Sequence, residues 1–319
     1  MNVYLLAAWL MFWASMSMTD ARKIRISKKR STNKPILAQI GNRSFTIEED
    51  GETGGEDDDD VVANDDVIEM ASDPTYMWNL DRIDGRYDGV FASPMGTGLG
   101  VDVYVIDTGI APHPSFGSRL QTGYKNEAKD CNGHGTHVAS IATGDIYGIA
   151  RDATVFPVVA LDCSGRGSVG EFAQAAAWVH DTILQRKPRR AVVNISIQSA
   201  GNSVLDELVK SLYEIGAVVS VAAANYAGNA CDYSPAREPS AITVGATNQD
   251  DTKLDTSNFG PCVDIFAPGG DVWGASPFSS DPVKKRGTSM ASPHVAGIAA
   301  LLFERYPGAS PSWIDSEIK

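Results

Sequence analysis

The chain has 319 residues, 43% hydrophobic and 21% charged, a balance that suits one large globular domain with appendages rather than a wholly disordered or membrane-embedded protein. Its formal net charge of −13 is unevenly spread, with about +7 over residues 1–47, −12 over residues 48–70 and about −8 over the remainder. The main domain therefore lacks the basic surface that nucleic acid requires, and nucleic acid is not expected as a partner.

In chain order, Val3 to Trp13 is almost wholly apolar and is followed by small residues at Ala14, Ser15 and Ser17, the pattern of a signal peptide over 1–17. No other long apolar run appears, so a secreted protein without a stable membrane anchor is expected. Arg22 to Lys34 holds seven basic residues and no acid, whereas Glu48 to Glu69 holds twelve acids and no base. Such segments build no core easily, so residues 18–70 are expected to be a disordered leader or a propeptide removed on maturation. Lys28-Lys29-Arg30 is a candidate processing site, and Asn42-Arg43-Ser44 a glycosylation sequon.

From about Ser72 a globular domain is expected to run over 71–319. Val101 to Ile106 reads as a strand, Gly135 to Ala142 as a helix start, Val155 to Leu161 as a strand and Gly170 to Gln185 as an amphipathic helix. A strand over Ala191 to Ser196, a helix over Val204 to Ile215 and a strand over Ala217 to Ala223 follow. This alternation predicts an α/β fold of three layers, with a mainly parallel central sheet flanked by helices. Catalytic groups in such folds gather at the carboxyl ends of the strands.

Acyl transfer by serine needs a base to take the hydroxyl proton and a carboxylate to hold that base in one tautomer. Asp107 directly follows the strand ending at Ile106, and Thr108-Gly109 can turn the chain away behind it. His134 lies between two glycines in Asn132-Gly133-His134-Gly135-Thr136-His137, at a helix start. The pair His134 and His137 lacks the acid and third ligand of a zinc protease motif, so His134 is read as a base. Ser289 lies in Gly287-Thr288-Ser289-Met290-Ala291-Ser292-Pro293-His294, which runs into the apolar stretch Ile298 to Phe303. A nucleophile there would open a buried helix, whose free N–H groups favour a developing oxyanion.

The order Asp, His, Ser is that of subtilisin. With these motifs, Trp78-Asn79-Leu80-Asp81-Arg82-Ile83-Asp84 and Asp232-Tyr233-Ser234-Pro235-Ala236, the chain from about Met77 to Lys319 resembles the subtilisin-like serine peptidases. The likeness is greatest to the proteinase K and aqualysin branch. The resemblance implies a secreted serine endopeptidase that cuts polypeptide substrates as a monomer, with Asp107, His134 and Ser289 as its triad. It also implies that Asn225, in Val221-Ala222-Ala223-Ala224-Asn225, donates to the oxyanion.

The chain departs from the family's pattern in the cleft. Ala224 stands where glycine is usual, and Ile197-Gln198-Ser199 follows Ser196 where a leucine-glycine-glycine run is usual. Ser196, Ile197, Gln198 and Ala224 are thus expected to bind substrate, in a primary pocket narrowed by the Ala224 methyl. The alternative function is a catalytically weak homologue that binds proteins through the same cleft. The leader is shorter and more acidic than the family's inhibitory propeptide, and the family generally continues beyond the segment at which this chain stops; a propeptide or protein inhibitor is a further expected partner.

The resemblance implies a structural calcium ion, on the backbone carbonyls of Pro239 and Ala241 and the carboxylate of Asp264, an oxygen set that suits a hard cation. The four cysteines form no C-x-x-C pair and allow three pairings. The family resemblance favours Cys131 with Cys163 and Cys231 with Cys262.

Overall fold

The computed structural model describes the backbone of residues 35–40, 43–48 and 52–55 and, from residue 77 onward, all residues except 86–90, 92, 94, 126–129 and 188. The expected signal peptide, the basic run, Asn42 of the sequon and most of the acidic run lie outside the described residues.

Six strands make the central sheet: β4 (Val101–Asp107), β5 (Thr154–Val159), β7 (Arg190–Ile195), β9 (Ala217–Ala222), β11 (Ile242–Thr247) and β12 (Ile265–Pro268). Their spatial order is β5, β4, β7, β9, β11, β12, and every neighbouring pair is parallel. From β4 the chain first steps to one side, to β5, and then builds the rest of the sheet on the other. The order therefore reverses between β4 and β7, and at such a switch point the strand ends leave a crevice.

Alternate residues of each strand feed two cores, as the period of two requires. Val103 and Val105 join Val192, Val218 and Val244 in one apolar cluster, with Val138, Ile141, Val295 and Ala299 from α2 (His134–Thr143) and α5 (Thr288–Arg305). Tyr104 and Ile106 join Val193, Ile195, Val219 and Val221 in the other, with α3 (Val169–Arg186) and α4 (Ser203–Glu214). The three-layer α/β architecture is therefore the one the alternation predicts.

The helices begin where their caps dictate. Ser168 and Glu171 form a reciprocal capping box at α3, and Asn202 accepts from the N–H groups of Val204 and Leu205 at α4. In α3, Phe172, Ala175, Ala176, Val179 and Ile183 bury one face at helical spacing. Two short helices complete the set, α1 (Trp78–Asp84) and α6 (Pro311–Ile318). Both expected disulfides are present, Cys131–Cys163 and Cys231–Cys262, with Cα atoms 5.1 and 5.3 Å apart. Asn194-Ile195-Ser196 also has the sequence form of a sequon, but Asn194 is fully buried in β7.

Within the leader, where charge counting suggested no structure, three strands are described. β1 (Pro35–Ile40) and β2 (Arg43–Glu48) form an antiparallel hairpin with Ile36 opposite Ile47 and Ala38 opposite Phe45. The hairpin lies against α3, an arrangement that net charge along the segment does not reveal. β3 (Glu52–Gly55) needs no apolar side chains, because it gains backbone hydrogen bonds from a second sheet. It lies between β6 (Arg166–Ser168) and β8 (Ile197–Ala200), antiparallel to both, with Gly54 opposite Arg166 on one side and Gln198 on the other. The two-residue β10 (Tyr233–Ser234) extends β8, and β13 (Val272–Gly274) pairs with β14 (Val283–Lys285).

Candidate active site

β4 ends in Asp107, whose side chain is fully buried at the switch point. Its Oδ1 accepts the Thr108 N–H at 2.6 Å, and its two oxygens lie 2.8 and 2.9 Å from His134 Nδ1. A carboxylate has no proton to give, so Nδ1 carries the hydrogen and Nε2 is the basic nitrogen. Close approach is possible because Gly135 has no side chain. A Cβ there would come within 2.2 Å of the Gly109 carbonyl oxygen and 2.9 Å of Asp107 Oδ1.

Sequence reasoning missed Asp130. Its buried carboxylate accepts from Gly133 N (2.7 Å), Asn132 N (3.1 Å), Thr136 N (2.8 Å), Thr136 Oγ1 (2.7 Å) and Thr108 Oγ1 (2.9 Å). It thereby ties the loop after Asp107 to the helix that begins with His134. The available signal was an Asp three residues before a glycine at a helix start, where a side-chain acceptor is needed. The Cys131–Cys163 bridge braces the same loop, and Asn132 Nδ2 donates to the Cys163 carbonyl at 3.2 Å.

Ser289 is the second residue of α5 and is fully buried. Four residues later, Pro293 has no N–H, so the Ser289 carbonyl loses its helical donor. Ser196 Oγ supplies the missing bond at 3.1 Å, fastening the end of β7 to the residue that carries the candidate nucleophile. His294 is read as structural. Its Nδ1 donates to the Met290 carbonyl at 2.8 Å, Asn79 Nδ2 donates to its Nε2 at 2.8 Å, and burial pushes its pKa down to about 4. Burial likewise pushes buried His137 down to about 3, and its Nε2 donates to the Val283 carbonyl at 3.2 Å.

Beyond β9 the chain turns sharply at Ala224, which is fully buried at φ +74°, a region costly for a residue with a Cβ. The turn brings Asn225 to α5, where its Oδ1 accepts the Thr288 N–H at 3.0 Å. With the oxygen so committed, Nδ2 is the donor end of the amide. Gln198 Nε2 donates to Tyr226 Oη at 2.9 Å, linking β8 to the residue after Asn225, and Tyr226 stacks on Tyr233 at 5.0 Å. Gln198 and Ala224 thus adjoin the turn that carries Asn225, Ser196 bonds the Ser289 carbonyl, and Ile197 and Gln198 of β8 pair with β3.

The three residues expected to bind calcium sit elsewhere. Ala241 and Asp264 stand at the amino ends of β11 and β12, on the opposite sheet edge from Asp107. The Ala241 carbonyl and Asp264 Oδ2 both accept from Lys319 Nζ, at 3.0 and 3.2 Å. The donor chemistry is right for a hard cation, but with an ammonium already on two of the oxygens the set does not fit a divalent ion as it stands.

Comparison with known proteins gives a consistent result. The subtilase family model, peptidase family S8, matches residues 98–319. The chain is 41% identical over 270 residues to an extracellular serine proteinase of Thermus sp. (strain Rt41A), a match covering 81% of this chain and 64% of that protein. It is 37% identical over 270 residues to alkaline serine exoprotease A of Vibrio alginolyticus, covering 82% of this chain and 49% of that protein. The chain thus spans about half to two thirds of the length of these relatives. Among solved structures, that of a cold adapted subtilisin-like serine proteinase is similar with a TM-score of 0.72 and 38% identity, over 76% of this chain and 90% of that one. With the fold, the motif order and these matches in agreement, the chain belongs to the subtilase family of peptidases.

Proposed function

We propose that the protein is a secreted serine endopeptidase in which Ser289 is the nucleophile, His134 the general base and acid, and Asp107 the residue that orients His134. The observation that carries this reading is the buried Asp107–His134 pair at 2.8 Å, which commits Nδ1 and leaves Nε2 to accept the Ser289 hydroxyl proton. Ser289 Oγ would attack the scissile carbonyl while His134 takes its proton. The tetrahedral oxyanion would be held by Asn225 Nδ2 and backbone N–H groups at the start of α5, and His134 would then protonate the leaving amine. Water, deprotonated by His134, would cleave the acyl-enzyme in the second half-reaction and restore Ser289.

The position of β3 favours extended polypeptides as substrates, since the groove between β6 and β8 accepts a strand through backbone pairing on both sides. It also favours residues 18–70 as a propeptide that blocks the cleft in place of substrate. The extracellular relative and the two disulfides support secretion. A fluorophosphonate probe, which reacts only with an activated serine, tests both points. Labelling should require Ser289 and should speed up in Gly54→Pro, which disrupts the pairing of β3. No labelling of either protein would favour the alternative, a subtilisin-like binding module, and equal rates would remove the propeptide reading.

Specificity should depend on Ala224. Its methyl group narrows the primary pocket in this reading, while the Gln198–Tyr226 bond clips the walls together. Ala224→Gly is expected to raise kcat/KM for a substrate with phenylalanine before the scissile bond about 10-fold or more relative to one with alanine, the effect of about one methyl group in such a pocket. A panel of short peptide substrates measures the ratio, and an unchanged ratio would remove Ala224 from the pocket.

A further inference from the structure

We propose that the ammonium group of Lys319 is the resident cation of the oxygen seat formed by Ala241 and Asp264, so that a divalent cation binds there only when the lysine is displaced. The seat is built by the sheet. Asp264 N donates to Thr243 O at 2.9 Å and Thr243 N donates to Asp264 Oδ2 at 2.9 Å, which holds the carboxylate beside the second residue of β11. The Ala241 carbonyl, just before β11, turns to the same point, and Lys319 Nζ occupies that point at hydrogen-bond distances from both.

A second carboxyl group interacts with the charges of this seat. Asp315, four residues before Lys319 on α6, is buried, and its pKa is raised to about 6 by burial and by the charge of Asp264, while Lys319 opposes the rise. Lys319 itself is fastened by its backbone N–H to the Asp315 carbonyl at 2.8 Å. The Asp264 carboxylate and the Ala241 carbonyl on a half-buried ammonium form more than a surface ion pair, because the side chains of Lys319 and Asp264 are only 27% and 29% exposed. A hard divalent ion would need these oxygens at about 2.3–2.6 Å, and one ammonium and one such ion cannot share them.

The consequence is a stability that calcium does not modulate at this seat while Lys319 is present and that becomes calcium-dependent when the lysine is made neutral. The test compares the parent, Lys319→Met and Lys319→Gln, each with and without Asp264→Asn. All carry Ser289→Ala to prevent self-digestion, and thermal midpoints are measured in chelator and in millimolar calcium chloride. The quantity of interest is the calcium-induced rise that Asp264→Asn removes. It should be under about 1 °C in the parent and about 3–6 °C in the neutral variants, whose midpoints in chelator should fall by a similar amount. Lys319→Gln keeps the test open if Lys319→Met fails to fold. An Asp264-dependent rise as large in the parent as in the neutral variants, or none in any of them, would overturn the proposal.

Discussion

Ser289→Ala is expected to lower kcat for a peptide substrate by about 10⁶-fold, a size carried over from subtilisin, where loss of the nucleophile or its histidine has this effect. The physical reason is that alanine has no group able to form the acyl-enzyme, so neither the Asp107–His134 pair nor the oxyanion donors have an intermediate to act upon. The fold should survive, because the second residue of α5 is anchored through its backbone carbonyl by Ser196 Oγ, a contact that alanine keeps. Circular dichroism and the thermal midpoint should therefore match those of the parent. Retention of more than a few per cent of activity in a purified sample would show that the serine assignment is wrong.

Asn225→Ala is expected to lower kcat by about 10²–10³-fold while leaving KM nearly unchanged, again a magnitude known from subtilisin. In the proposed mechanism the donor end of the amide meets the charge that develops as the tetrahedral intermediate forms, so its loss should raise the barrier without weakening ground-state binding. This chain adds a qualification of its own. Asn225 Oδ1 also accepts the Thr288 N–H at 3.0 Å, so alanine removes an anchor of the α5 terminus as well as a donor. Asn225→Asp separates the two roles, since a carboxylate accepts from Thr288 equally well and cannot donate. Both variants should lose activity, with the Thr288 contact kept only in Asn225→Asp. A larger change in KM than in kcat for both would assign Asn225 to substrate binding instead.

These expectations bear on the choice between an enzyme and a catalytically weak binder. The departures at Ile197-Gln198-Ser199 and Ala224 belong to the proposed substrate cleft, and none of these residues makes the Asp107–His134 hydrogen bonds. The geometry of the base is thus intact while the walls differ, which argues for narrowed specificity rather than lost chemistry. A non-glycine residue held at φ +74° beside Asn225 costs about 1 kcal/mol or more, so the turn is kept at an energetic disadvantage that glycine would avoid.

Much of the fold was legible in the sequence because the central strands are buried on both faces and the flanking helices carry regular apolar stripes. The expected strand over Val101 to Ile106 is β4 to within one residue, and the helix expected over Val204 to Ile215 is α4 to within one residue at each end. Local chemistry also identified the candidate site, since Gly133 at positive φ and Gly135 at a close backbone approach flank His134, and the motif around Ser289 opens a buried helix. Asp130 escaped notice because its only trace in the chain is its spacing to the glycine at the helix start, and its bond from Thr108, 22 residues away, forms only in the folded loop. The same holds for β3, whose few residues become a strand only because β6 and β8 offer it two edges. Lys319 is the clearest case, lying 78 residues from Ala241 along the chain. Composition and periodicity determined which segments would be strands, helices and motif loops, because those depend on neighbours within a few residues. Only the tertiary structure decided which charge fills the Ala241–Asp264 seat, because that depends on where α6 docks, and long-range electrostatic pairing leaves no periodic trace in a sequence.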